Sequence, residues 1–243
     1  MNTVLITGAT SGIGEACSIL FAKSGYNVVL NYAHHEEKAK HLEKKLIKDY
    51  NIDVLTIKAD ISDEEDVIKM VKLTIAKFHK IDVLVNNAGI ALDDNLLYKT
   101  LIDFKKVIDV NLIGTFLVSK YVSKEMLKEK KGKIINVAST NGIDTYYPMS
   151  ADYDAAKAGV ISLTHNFSLE LAPYITVNCV APGWVDTPMN KDLEATFKKE
   201  ETNKIFIKRF GTSVEIAEVI LFLSTNDYIN NEVVRVDGGL YHV

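Results

Sequence analysis

Tyr153 and Lys157 stand four residues apart in the stretch "YDAAK", among small residues that read as helix. At that spacing both side chains share one helix face. An ammonium beside a phenol favours the phenolate and draws its pKa down from about 10 toward neutrality. Such a pair can give and take a proton at neutral pH, although a solvated helix surface would also accept it. Ser139 closes the strand-like run "KIINVAS", where its hydroxyl can polarise a carbonyl that Tyr153 protonates. The "NNAG" of residues 86–89 ends another such run with two amides and a glycine where backbone must come close. Asn111, in "VIDVNLIGTF", is a polar residue at a core-like position and equally suits a satisfied buried amide.

"TGATSGIG", Thr7 to Gly14, joins the first strand-like run to a helix. Gly8, Gly12 and Gly14 permit backbone to approach a ligand where a Cβ would collide, and the helix start offers free N–H groups to a pyrophosphate. A tight turn before a helix would use the same letters. The setting, strand before and helix after in the first βαβ unit, points to a dinucleotide. The spacing Gly-x-x-x-Gly-x-Gly departs from the common Gly-x-Gly-x-x-Gly fingerprint.

These residues need a scaffold that gathers strand ends. Seven short runs recur: "TVLIT", "NVVLNY", "DVLTIKA", "IDVLVNN", "KIINVAS", "ITVNCVA" and "EVVRVDGG". Most are apolar at both parities, as strands buried on both faces of a parallel sheet require. Between them lie helical patterns. Ala39, Leu42, Leu46 and Ile47 form one stripe, and Val67, Met70, Val71 and Ile75 form another on a helix expected to be capped by Ser62. Strand and helix in alternation predict a doubly wound parallel α/β sheet with helices on both faces, as one domain over residues 1–243. Ligands of such sheets sit at the carboxyl ends of the strands. Residues from about 186 to 212 depart from the alternation and read as a substrate lid.

Composition sets the class. The chain has 243 residues, 47% hydrophobic and 25% charged, with a formal charge of -4 and a pI near 5.9. Nothing in that balance favours nucleic acid or an anionic membrane. No apolar run approaches the ~18 residues that span a bilayer. Cys17 and Cys179 match no metal motif and read as buried thiols of a reducing compartment. The first strand begins too early to leave room for a secretory leader. A cytoplasmic enzyme acting on a small molecule is the expectation, with no metal.

In order, "TGATSGIG", "NNAG", Asn111, Ser139, "YDAAK" and Pro182-Gly183 followed by Thr187 resemble the short-chain dehydrogenase/reductase family over essentially the whole chain. The resemblance implies a Rossmann-type fold and hydride transfer between nicotinamide and a carbonyl or alcohol. It implies that Tyr153 is the general acid/base and that Lys157 holds the nicotinamide ribose while lowering the Tyr153 pKa. Ser139 would position the substrate oxygen, and Asn111 would hold a water behind Lys157. Gly8, Gly12 and Gly14 would cradle the cofactor, with Ile13 near its phosphates, Asp60 and Ile61 at the adenine, and Asn87, Ala88 and Gly89 along its flank. Val185 and Thr187, after Pro182 and Gly183, would meet the nicotinamide half.

The second strand ends in "VVLNYAHH", with Asn31 and no carboxylate until Glu36. A carboxylate there would accept the adenosine 2'-hydroxyl and repel a 2'-phosphate, so NADP(H) is expected over NAD(H). The positions where the family's NADP(H) members often carry Arg or Lys hold Ser11 and Tyr32, leaving His34 or His35 as the nearest candidate cations. The texture of "ITVNCVAPGWVDTPM" and "VDGG" is most similar to the bacterial 3-oxoacyl-[acyl-carrier-protein] reductases. That branch implies an acyl-thioester substrate in fatty-acid or related metabolism, acyl carrier protein as a partner, and a homotetramer. A dehydrogenase of a sugar, polyol or steroid, or a non-catalytic dinucleotide-binding regulator, are the alternatives. Asn141, Tyr146 and Met149 of the loop before Tyr153, with Trp184, are the expected substrate residues, Tyr147 beside them. The apolar positions Val160, Leu163, Phe167 and Leu171 suit either a subunit interface or the core.

Overall fold

The computed structural model describes residues 1–239. The seven expected runs become β1 (Thr3–Ile6), β2 (Asn27–Tyr32), β3 (Val54–Lys58), β4 (Val83–Asn86), β5 (Gly132–Val137), β6 (Ile175–Pro182) and β9 (Val233–Val236). They pair in parallel as one sheet in the order β3-β2-β1-β4-β5-β6-β9. Between them run α1 (Gly12–Lys23), α2 (Glu36–Tyr50), α3 (Glu64–Phe78), α4 (Leu101–Ile108), α5 (Gly114–Lys128), α6 (Ala151–Glu170) and α8 (Ser213–Thr225).

Parity explains the uniformly apolar strands. Val4 and Ile6 of β1 pack with Val28, Leu30 and Val85 under α1, α2 and α8, where Phe21, Leu46 and Ile220 close the layer. Leu5 faces the other way, with Val29, Leu84 and Ile134, beneath Met70 of α3 and Val118, Val122 and Met126 of α5. Full burial of one such side chain is worth about 1.5–3 kcal/mol, against a strand-propensity scale spanning only ~1 kcal/mol. Two-sided burial therefore decides these segments. Cys17 and Cys179 are free thiols inside this core. Among the described residues, no helix is long and apolar enough to cross a membrane.

Two local expectations are corrected. Ile47 is 46% exposed, because it lies about 100° around the helix from Leu46, and the buried stripe of α2 is Ala39, Leu42 and Leu46. The cap of α3 is Asp63, whose carboxylate accepts the Glu65 and Asp66 N–H groups at 2.9 and 3.0 Å. Ser62 instead gives its hydroxyl to Asp60 at 2.6 Å.

Strand order reverses between β2 and β4, which flank β1, and a crevice opens there at the carboxyl ends. Over that edge lies the excursion after β6: β7 (Val185–Asp186), α7 (Ala195–Lys204) and β8 (Gly211–Thr212), with β7 and β8 paired to each other. No residue of α7 is buried. The far limb of the excursion is clipped to the segment after β9, Phe206 and Ile207 donating N–H bonds to the carbonyls of Gly239 and Gly238 at 3.0 and 3.2 Å.

Replacing Asp63 by Ala is expected to cost ~1 kcal/mol of unfolding free energy in urea melts, and Ser62→Ala less. A larger loss at Ser62 would return the cap to that residue.

Candidate active site

The crevice is a cleft of about 650 Å³. Gly8, Ser11, Gly12 and Ile13 form one wall, Asn31, Asp60 and Ile61 one end, and Asn87, Ala88 and Gly89 the floor. Ser139, Tyr153 and Lys157 stand opposite, with Pro182, Gly183, Val185 and Thr187 closing the side.

The glycine loop fits a dinucleotide. Gly8 has φ +61°, and a Cβ on it would come within 2.9 Å of the Ala88 backbone. Ser11 caps α1 without a side-chain bond to the helix, and the first N–H groups of any helix lack internal partners. Gly14 has a different job from the one expected: it does not line the cleft, and a Cβ there would sit 2.2 Å from the Gly8 carbonyl oxygen. It lets α1 close against the loop from behind. Thr7, to which the sequence assigned no role, donates its hydroxyl to the Val85 carbonyl at 3.4 Å and accepts the Asn87 and Ala88 N–H groups at 3.0 Å each. Its place just before the first glycine was the available signal.

At the other end Asn31 is buried and committed to the protein, accepting the Gly8 N–H at 3.4 Å and donating to the Ala59 carbonyl at 3.0 Å. These two bonds fix its amide where it lines the cleft. Tyr32, His34 and His35 line the cleft beyond it, while Glu36 pairs with Lys40 at 2.6 Å.

The reactive corner is built by α6 and the ends of β5 and β6. Lys157 Nζ is driven into the Val137 carbonyl at 2.8 Å and lies 5.4 Å from the Tyr153 ring centroid. Burial lowers its pKa to about 8. The expectation that this ammonium pulls the phenol toward neutrality is corrected. Tyr153 is half-buried, and loss of solvation pushes its pKa up to about 12, opposed by nearby Ser139 and reinforced by Asp154 and Asp93. Tyr153 is therefore protonated at neutral pH.

Asn111 lies outside the cleft lining, in a π-helical turn, Asp109–Ile113, between α4 and α5. Its amide pairs with the Ile90 backbone, accepting the N–H at 2.8 Å and donating to the carbonyl at 2.9 Å. It still touches the corner, since a Cβ on Gly89 would lie 3.2 Å from Asn111 Oδ1 and 3.5 Å from Lys157 Nζ.

Asn141, Tyr146, Met149 and Trp184, the expected substrate residues, do not line the cleft, although Tyr147 and Trp184 meet on Phe197 at 5.7 Å each. Tyr146 is 77% exposed. Asn141 donates to Asp154 at 2.7 Å, and the Met149 sulfur meets the Tyr147 hydroxyl at 3.5 Å. Trp184 stacks on Phe210 at 5.6 Å and meets Phe197 of α7 edge-on at 5.7 Å, so it anchors the excursion. The aromatic surface of these loops is spent on each other. Leu92, Lys106, Met189 and Asn190, which the sequence did not single out, line the cleft instead. Among the described residues, no three His, Cys, Asp or Glu side chains converge as metal ligands.

The short chain dehydrogenase family model matches residues 2–198. A 3-oxoacyl-[acyl-carrier-protein] reductase of Synechocystis sp. is 42% identical, covering 98% of this chain and 96% of its own. A solved 3-oxoacyl-[acyl-carrier protein] reductase from Brucella melitensis superposes with a TM-score of 0.92 at 30% identity, covering 100% of this chain and 92% of that one. The NADP-bound structure of ElxO superposes at 0.90 with 33% identity, covering 98% of each chain.

Gly14→Ala forces the Gly8 carbonyl outward, so dinucleotide affinity, read by fluorescence titration, is expected to fall about tenfold or more. Undiminished affinity would show that the loop tolerates the extra carbon.

Proposed function

The chain belongs to the short chain dehydrogenase family and is an NAD(P)-dependent oxidoreductase, and from that premise we propose that it reduces 3-oxoacyl thioesters to 3-hydroxyacyl thioesters with NADPH. The observation that carries the reading is that Ser139, a protonated Tyr153 and Lys157 line one dinucleotide-shaped cleft. When bound, the nicotinamide supplies the hydride. Ser139 orients the substrate carbonyl, and Tyr153 gives its proton to the carbonyl oxygen as charge develops there. Lys157 places a positive charge 5.4 Å from the Tyr153 ring centroid and would hold the nicotinamide ribose. Asn111 holds the Ile90 backbone against this corner.

NADP(H) is preferred because the end of β2 presents Tyr32, His34 and His35 to the cleft without a carboxylate among its lining residues there. The relatives' names support a thioester carried by acyl carrier protein. Residues 186–212 act as the lid of a single domain, in keeping with their position over the cleft edge. Exposed Ile113 and Phe116 at the start of α5, beside half-buried Phe167 and exposed Leu169 of α6, support a homotetramer joined through the long helices α5 and α6. Free buried thiols fit a cytoplasmic setting.

Purified protein is expected to oxidise NADPH rapidly with a short 3-oxoacyl thioester, and NADH slowly. Silence with thioesters beside activity on a sugar, steroid or simple ketone in the same panel would remove the substrate assignment. Tyr153→Phe should lose about 10²–10⁴-fold in kcat while still binding NADPH, and an active variant would overturn the proton-donor role.

Reduction should also lose kcat/KM above pH about 8, where Lys157 gives up its charge, because this parameter follows ionisations of the free enzyme. The loss disappears in Lys157→Met. A wild-type profile flat to pH 10 would show that the Lys157 charge is not needed.

A further inference from the structure

Resting on Tyr153 as the proton donor, we propose that Lys99 and Asp152 are positioning residues, whose buried ion pair fixes the first turn of α6, and the Tyr153 phenol with it, against the segment at the cleft rim. Lys99 Nζ meets Asp152 Oδ2 at 2.9 Å, with side-chain exposures of 6% and 0%. The other carboxylate oxygen, Oδ1, accepts the backbone N–H of Tyr153 at 2.9 Å. Lys99 also donates to the Leu92 carbonyl, and Leu92 lines the cleft. One continuous chain of contacts thus runs from the cleft rim through an ammonium and a carboxylate to the main chain of the tyrosine. A backbone bond from Asp94 N–H to the Met149 carbonyl, at 2.9 Å, ties the same segment to the loop that leads into α6.

Stability alone does not account for the pair. Two dehydrated charges are often replaceable by apolar residues of similar volume with no loss of stability, whereas removing one partner strands the other. What an apolar pair cannot supply is direction. The carboxylate has one oxygen for the lysine and one for the Tyr153 N–H, so it sets the rotation of the first helical turn relative to the rim. Asp154, on the far side of Tyr153, accepts Asn141 and Ser150 at 2.7 and 2.8 Å and holds the opposite loop, while on the rim side the ion pair, beside the Asp94–Met149 backbone bond, is what reaches the Tyr153 N–H. A shift of the phenol by about 1 Å is enough to cost on the order of 100-fold in rate.

The test compares single and double variants with whichever carbonyl the wild type reduces. Lys99→Met and Asp152→Asn are each expected to lower kcat by about 10–100-fold with NADPH affinity unchanged, and to lower the melting temperature. In the double variant Lys99→Met/Asp152→Leu the melting temperature should recover while kcat stays low. Recovery of kcat together with the melting temperature would make the pair merely structural and overturn the proposal, as would wild-type kcat in Lys99→Met. Lys99→Arg, which keeps charge and donors, should regain most of kcat. A defect as deep as that of Lys99→Met would overturn the proposal even if the double variant does not fold. Tyr153→Phe in the same assay separates the premises: its full activity sinks the proton-donor reading, whereas an inactive Tyr153→Phe beside a fully active double variant sinks the positioning alone.

Discussion

A lysine ammonium is buried against the carbonyl that ends a central strand, and the architecture around it exists to make that placement possible. Lys157 is 4% exposed, with its Nζ 2.8 Å from the Val137 oxygen. An isolated buried cation is costly, and the drop of its pKa to about 8 records that cost. To deliver it, α6 must lie close to the loop after β5. Small residues at 155, 156, 158 and 159 allow the approach, and Gly142 is required by it, since a Cβ there would stand 2.6 Å from the Lys157 carbonyl carbon. The helix face that carries Tyr153 is thereby fixed at the strand ends.

A second device holds those ends level. Asn86 of β4 donates to Asn136 of β5 at 2.9 Å and to Ser119 of α5 at 2.8 Å, and Asn136 donates to Thr164 of α6 at 2.9 Å. Buried amides give a sheet a fixed register because a slip by one residue would leave them unpaired in a low-dielectric interior. Two strands and two helices are thus locked at the depth where Ser139 and Lys157 emerge. The first Asn of "NNAG" belongs to this network and the second to the glycine loop, donating to the Thr7 and Gly8 carbonyls at 3.0 and 3.1 Å.

The sheet was legible in the sequence because a strand buried on both faces leaves a mark that tertiary context does not erase, as Val4, Leu5 and Ile6 show by alternating between two cores. The motif residues were legible by type and spacing, and most of them line one cleft. Spacing failed where depth decides. Four residues of helix put Tyr153 beside Lys157, but only the fold shows that dehydration, with Asp154 and Asp93, raises the phenol. Spacing left open what Tyr147, Met149 and Trp184 pack on, because an aromatic or thioether in a loop packs on whatever neighbour arrives, here Phe197 of the excursion for both Tyr147 and Trp184. Lys99 and Asp152 are 53 residues apart, and nothing local announces that they meet.

The two thiols have a practical corollary. Burial pushes Cys17 up to about 12 and Cys179 up to about 11, so at neutral pH neither presents a thiolate to an electrophile while the fold is closed. They sit in different compartments, Cys17 beneath α1 with the first layer and Cys179 beside Ala138 and Val160 under α6. Alkylation at each sulfur therefore clocks a different breathing motion, one of the helices packed in the first layer and one of the helix that bears Tyr153. The molecule carries its own pair of latent chemical probes, and the ratio of their labelling rates ranks the mobility of its two halves.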